Sequence, residues 1–86
     1  MANKYTLEVL ANDGGFRGLI INTETNLVVR RTAINKTKTD AFNALTELVE
    51  AFLNTSPNNE IKGVSKIDGA FFVSQKSVRG MDERQD

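Results

Sequence analysis

Three carboxylates stand at positions of this chain where metal-dependent chemistry could arise. Asp13 follows the first predicted strand, Glu47 lies in the predicted helix, and Asp68 follows the fourth predicted strand. Clustered carboxylates can hold divalent cations, which activate water and stabilise a leaving oxygen. If the fold brought these three side chains together, the chain would be a candidate for metal-dependent hydrolysis.

The helical spacing and the turn chemistry argue against such a metal site. Glu47 lies nearly opposite Leu45 and Phe52 on the helical wheel, so its carboxylate is predicted to face solvent. Asp68 precedes a glycine, and Asp-Gly between two apolar runs predicts a tight hairpin turn. We interpret these residues as two turn aspartates and a solvated helix glutamate, and we expect no metal and no cofactor.

The composition removes the commonest catalytic groups. The 86 residues include no His and no Cys, and 11 basic side chains balance 11 acidic ones. Histidine is the commonest general base and metal ligand, and cysteine supplies thiolates and disulfides. Balanced charge gives no strong overall field for nucleic acid or an anionic membrane, and no apolar run approaches the ~20 residues that span a bilayer. We therefore expect a cytoplasmic protein that is neither an enzyme nor a membrane protein.

One amphipathic helix must organise the remaining elements. The segment from Thr37 to Asn54 opens with a capping box formed by Thr37 and Asp40. It is predicted to end with Asn54 in a left-handed conformation before Ser56-Pro57. Its predicted apolar stripe consists of Ala41, Leu45, Leu48, Val49 and Phe52, with Phe42 and Leu53 on the border.

Three predicted strands precede this helix and two follow it. Apolar alternation and β-branched residues predict strands over 4–11, 16–22, 27–34, 61–67 and 70–75. The order β-β-β-α-β-β predicts an α+β fold, in which one antiparallel sheet of about five strands carries a single helix on one face. Residues 1–76 are predicted to form this single domain, and residues 77–86 a flexible polar tail.

A single helix covers one face of a sheet, yet apolar residues are predicted on both faces. An apolar face left in water is the kind of patch that marks an interface, although stray apolar residues at strand ends are common. We therefore expect the protein to bind another protein or a second copy of itself, as a homodimer formed through the sheet. The residues predicted to form this interface are Arg17, Leu19, Ile21, Val28, Arg30 and Phe71.

The charged residues suggest two further surfaces. Asp40, Glu47 and Glu50 share the exposed side of the helix, where they could contact a basic partner. Nucleic-acid binding through basic residues is the alternative function, although aromatic residues for base stacking are few among them. The basic residues in question are Arg17, Arg30, Lys36, Lys38, Lys62 and Lys66, of which Lys62 and Lys66 are predicted to share one strand face.

The pattern of elements resembles two related families. Three strands, a helix and a further strand, with Asp13, Glu47 and Asp68 at these points, resemble the opening of the ribonuclease H fold. The segments KYTLEVLANDGGFRGLI and TKTDAFNALTELVEAFL are similar in pattern to antitoxins of the HicB type, which carry a truncated version of that fold. The first resemblance implies a truncated metal-dependent nuclease. The second implies a small inhibitor, antitoxin or accessory protein.

The favoured hypothesis combines these observations. We expect a non-catalytic binding or regulatory protein that acts through protein–protein contacts. A resemblance of fold does not establish a function, so this expectation is based on the surface residues.

Overall fold

The computed structural model describes residues 3–81 of the chain. Within this range one helix packs on a five-stranded sheet, and a hairpin forms a separate two-stranded sheet. The predicted α+β fold class is confirmed. In chain order the elements are β1 Lys4–Asn12, β2 Gly15–Asn22, β3 Val28–Arg31, α1 Lys38–Thr55, β4 Glu60–Ile61, β5 Val64–Ile67, β6 Ala70–Val73 and β7 Val78–Arg79, with a 3₁₀ turn at Gln75–Ser77.

The five-stranded sheet has the order β3-β2-β1-β4, with β7 also paired to β1. β2 is antiparallel to β1, and β3 is antiparallel to β2. On the other side β1 pairs in parallel with two short strands in succession, β4 beside Lys4 and Tyr5 and β7 beside Leu7 and Glu8. The sheet is therefore mixed, whereas a wholly antiparallel sheet was predicted. The reason is that α1 returns the chain to the far edge of the sheet, where it runs in the direction of β1.

The predicted strand over residues 61–67 is interrupted at Gly63. Gly63 has a φ of +85°, and a side chain there would collide with Ser77. The chain consequently leaves the main sheet after β4, forms the hairpin β5–β6, and rejoins β1 at β7. The predicted turn at Asp68-Gly69 is confirmed, with φ values of 52° and 82°, as a type I′ turn requires.

The core lies between α1 and one face of the main sheet. The buried residues of the helix are Ala41, Leu45, Val49, Phe52 and Leu53, whereas Leu48 is only half-buried. Leu7, Val9 and Ile20 meet them from β1 and β2. A Cβ atom on Gly18 would lie 2.7 Å from the Cβ atom of Leu45, so glycine at this position permits the close approach of α1 to β2.

The helix begins at the predicted cap and ends later than predicted. The hydroxyl of Thr37 accepts a hydrogen bond of 3.0 Å from the backbone N–H of Asp40. Asn54 lies inside the helix and Ser56 is the C-cap, so the predicted left-handed exit at Asn54 is wrong. The Thr55 hydroxyl and the Ser56 N–H both donate to the carbonyl of Phe52, at 3.0 Å each, and extend the last turn.

Replacing Thr37 by Ala should lower the free energy of unfolding by about 1 kcal/mol, because the N–H of Asp40 loses its side-chain acceptor. Urea denaturation followed by circular dichroism measures this change. The matched control is Thr39→Ala, which removes an exposed hydroxyl within the first helical turn and should change stability by less than about 0.5 kcal/mol. Equal effects of the two substitutions would show that the cap contributes nothing.

The predicted flexible tail is ordered where it meets β1. Val78 is 1% exposed and belongs to the core, and Met81 packs against that core. The start of the tail at residue 77 is therefore corrected, while residues 82–86 lie outside the described residues. Two isolated apolar residues in a polar stretch produce no periodic pattern, so the sequence did not reveal β7. The domain boundaries themselves stay a prediction.

Candidate protein-binding face of the sheet

One face of the main sheet is turned away from α1 and from the hairpin. α1 packs on the opposite face, and so do Val64, Phe71 and Val73 of the hairpin. We call the free side the uncovered face. The side chains assigned to it by strand alternation and register are Thr6, Glu8, Leu10, Arg17, Leu19, Ile21, Val28, Arg31 and Arg79.

Strand alternation explains why these residues point away from the core. Leu7 and Ile20 are fully buried beneath α1, so their sequence neighbours Glu8 and Leu19 point to the other side. The register then aligns Arg31, Leu19, Glu8 and Arg79 in one row across β3, β2, β1 and β7. Charged side chains thus lie at both ends of a row whose centre includes a leucine.

An apolar diagonal crosses the uncovered face from Leu10 through Leu19 to Val28. Leu10 pairs with Arg17, and Val28 pairs with Ile21, so the two ends of the diagonal lie on β1 and β3. With strands ~4.8 Å apart and a rise of ~3.3 Å per residue, Leu10 and Val28 are about 16 Å apart, with Leu19 near the midpoint. Leu10 is 43% exposed and Val28 is 44% exposed, so both ends of the diagonal are accessible.

Arginines line one flank of this diagonal. Arg17 precedes Leu19 by two positions on β2, and Arg31 lies directly across from Leu19 on β3. Ideal sheet spacing places their Cα atoms about 8 Å apart. The Nε atom of Arg17 is buried and finds no hydrogen-bond partner among residues 3–81, and such a donor is costly unless something supplies an acceptor. Glu8 and Arg79 occupy the other flank as direct neighbours.

The structure brings four of the six predicted interface residues onto this face, namely Arg17, Leu19, Ile21 and Val28. Leu19 and Ile21 were expected to be exposed, but only 6% and 5% of their surface is accessible. This expectation is corrected: both residues point away from the core beneath α1, and yet both are buried. Their substitution would therefore disturb packing as well as any interface.

The other two predicted interface residues lie elsewhere. Arg30 points to the side of α1, and its guanidinium carbon lies 5.5 Å from the ring centroid of Phe52. Phe71 is half-buried against the core, with the ammonium of Lys66 5.3 Å from its ring centroid. The exposed phenylalanine of β6 is Phe72, at 53%. The predicted side for Phe71 was wrong because β6 belongs to the separate hairpin.

The acidic residues singled out in the sequence lie on α1 and in two turns. Asp40, Glu47 and Glu50 are exposed on α1, on the side of the molecule opposite the uncovered face. Asp13 and Asp68 are turn residues with φ values of 45° and 52°, as the sequence predicted. Within residues 3–81, no three acidic, histidine or cysteine side chains are grouped so that they could hold a metal ion.

The four predicted nucleic-acid lysines are dispersed. Lys36 precedes α1 and Lys38 lies in its first turn. Lys62 and Lys66 do not share a strand face as predicted, since Gly63 interrupts the strand between them and the two lysines line different clefts. These four residues therefore do not form one basic stripe.

Five of the nine residues of the uncovered face were missed by sequence reasoning, namely Thr6, Glu8, Leu10, Arg31 and Arg79. Leu10 continues the alternation of β1 and could have been assigned to this side. Arg79 could not, because its position depends on the pairing of β7 with β1. Both residues enlarge the surface on which a partner could bind.

Crossing a bilayer would require a longer or more apolar helix than any in residues 3–81. Comparisons of the chain with protein-family models, with curated proteins and with solved structures gave no match.

Proposed function

We propose that this chain is a non-catalytic binding protein whose uncovered face takes an amphipathic helix of another protein. The apolar diagonal from Leu10 to Val28, with Arg17 and Arg31 along one flank, carries this proposal. A helix on the free face of a sheet completes a three-layer arrangement, which is a common way to bury such a face. The diagonal of about 16 Å matches roughly eleven helical residues, or three turns.

The arginines define the chemistry of that helix. A guanidinium group forms paired hydrogen bonds with a carboxylate and is weakly hydrated, so it suits a contact from which water is excluded. The complementary helix therefore has an apolar stripe with Glu or Asp along one border. A partner with basic residues at that border would face Arg17 and Arg31 and be rejected.

A second copy of this chain fits the uncovered face less well. A two-fold contact whose axis crosses the diagonal would bring the arginine flanks of the two protomers together, and like charges at an interface are unfavourable. The edge strand β3 is also protected, because Arg30 donates a hydrogen bond of 2.8 Å to the carbonyl of Val29. The homodimer stays a prediction, and the charge pattern favours a different protein.

Nucleic-acid binding is the second candidate function. Arg17, Arg31 and Arg79 on one face could also contact phosphates. Glu8 lies among them, and no aromatic residue belongs to the uncovered face as defined above. Single-stranded nucleic acids are usually held by base stacking on aromatic rings, so this face suits a protein partner better.

Binding of a designed helix tests the proposal. The probe is a fluorescein-labelled peptide of 15 residues with leucines spaced for one helical stripe and glutamates along one border. Fluorescence anisotropy should show saturable binding, and Arg17→Glu/Arg31→Glu should weaken it at least about tenfold because two attractive charge pairs become repulsive. Arg31→Glu alone alters an exposed side chain and provides the same test if the double variant does not fold.

The matched control changes the total charge equally at other sites. Lys36 and Lys76 are exposed and lie outside the uncovered face, so Lys36→Glu/Lys76→Glu should leave the affinity within about twofold. Similar losses of affinity for both double variants would show that binding depends on the net charge of the protein and not on the uncovered face. Tighter binding of oligo-dT, with an affinity that falls steeply with salt, would select the nucleic-acid function instead.

A further inference from the structure

A cleft lies on another part of the molecule. It has a volume of about 600 Å³ and opens between the end of α1, β4 and the hairpin. Its apolar lining consists of Leu53, Pro57, Ile61, Val64 and Phe71, and its polar lining of Asn54, Asn59, Glu60 and Lys66. The volume lies within the range of ~300–1,000 Å³ that is typical of ligand pockets.

β4 presents an unpaired main-chain edge beside this cleft. The N–H groups of Glu60 and Lys62 donate hydrogen bonds of 2.9 Å to the carbonyls of Asn3 and Tyr5. Alternate residues of a strand direct their main-chain groups to opposite sides, so the N–H and C=O of Ile61 point away from β1. No strand within residues 3–81 pairs with β4 on that side. An added strand could therefore form main-chain hydrogen bonds with Ile61.

The charges around β4 favour an acidic ligand. A second cleft of about 390 Å³ adjoins the first and shares Glu60 and Ile61 with it. Lys4 and Lys62 line this second cleft, and Lys66 lines the first. Three lysines and one glutamate thus line the two clefts, and the excess of positive charge is complementary to Glu or Asp side chains.

We propose that β4 binds an extended acidic peptide by strand addition. The peptide main chain pairs with Ile61, an apolar side chain enters the larger cleft beside Phe71, and carboxylates lie near Lys62 and Lys66. Thr6, which lines the second cleft, is the one residue that this site shares with the uncovered face, and no residue of the apolar diagonal or its arginine flank lines either cleft. The site therefore goes beyond the proposed function, and either site can fail independently of the other.

A peptide of eight residues that alternates Leu and Glu is the probe. Its fluorescein-labelled form should bind, and N-methylation of all its internal residues, which removes the donors of both peptide edges, should weaken binding at least about tenfold. Lys66→Glu should also weaken binding about tenfold, whereas Arg31→Glu on the uncovered face should leave it unchanged. Hydrogen exchange at the Ile61 amide should slow when the peptide is bound.

Any one of three other outcomes would overturn the proposal. Equal affinity of the N-methylated peptide would exclude strand addition, and no binding of the unmodified peptide at millimolar concentration would exclude the site. A loss caused by Arg31→Glu and not by Lys66→Glu would place the peptide on the uncovered face. Lys62→Glu, also an exposed side chain, gives the same test if Lys66→Glu does not fold.

Discussion

Replacing Gly80 by Ala should destabilise the protein by about 2–5 kcal/mol, whereas Gly69→Ala should cost about 1–2 kcal/mol. Both glycines have a left-handed backbone, with φ values of +91° and +82°, so the alanine is strained at either position. Their surroundings differ. A Cβ atom on Gly80 would collide with the carbonyl oxygen of Val9, whereas no atom lies within 4 Å of one on Gly69.

The difference between the two variants measures how firmly the end of the chain is bound to β1. The collision at Gly80 involves backbone that cannot move aside as a flexible side chain can, so β7 has to shift and expose Val78. Urea denaturation of both variants gives the two free energies, and amide spectra of the Gly80 variant should change at Leu7 and Glu8, the partners of β7. Equal destabilisation would show that residues 78–81 behave as the predicted tail.

Local signals explain which parts of the fold could be predicted from the sequence. The cap at Thr37 and the turns at Asp13-Gly14 and Asp68-Gly69 each depend on a few adjacent residues. A capping hydroxyl or a pair of residues with positive φ can be recognised from the adjacent residues alone. The apolar period of α1 is local in the same sense, and the residues that it predicted as core are mostly buried.

Long-range pairing explains what could not be predicted. The parallel strands β4 and β7 are two residues each, too short for alternation to be visible. Their positions depend on where α1 and the hairpin return the chain to β1. The prediction of the side on which Phe71 lies was wrong for the same reason. The inward face of a strand follows from its register with its partners and not from its own sequence.

The candidate binding face was also predictable from the sequence only in part. Alternation along β2 correctly placed Arg17, Leu19 and Ile21 on the side away from α1. Their exposure depended on neighbours in β1 and β3, which the sequence alone does not align. The apolar diagonal is therefore a property of the register, since its three members come from three different strands.

Replacing Leu45 by Ala should lower the free energy of unfolding by about 2–5 kcal/mol, because a fully buried side chain leaves a cavity in the core. This is a large fraction of the roughly 4–13 kcal/mol expected for a chain of this length. Leu27→Ala is the matched control, since Leu27 is 64% exposed and the same change should cost less than about 0.5 kcal/mol. Urea denaturation measures both values, and similar losses would contradict the packing of α1 on Gly18.

The Leu45 variant also separates stability from binding. Leu45 contacts β2 from the side of α1 at Gly18, whereas Arg17 and Leu19 project from β2 on the other side. Because the sheet between them is held by hydrogen bonds to both β1 and β3, a cavity on one side should not change the register on the other. The folded variant should therefore bind the acidic helical peptide with wild-type affinity below its unfolding transition. A parallel loss of affinity would mean that the uncovered face depends on the packing of α1 and does not act as an independent surface.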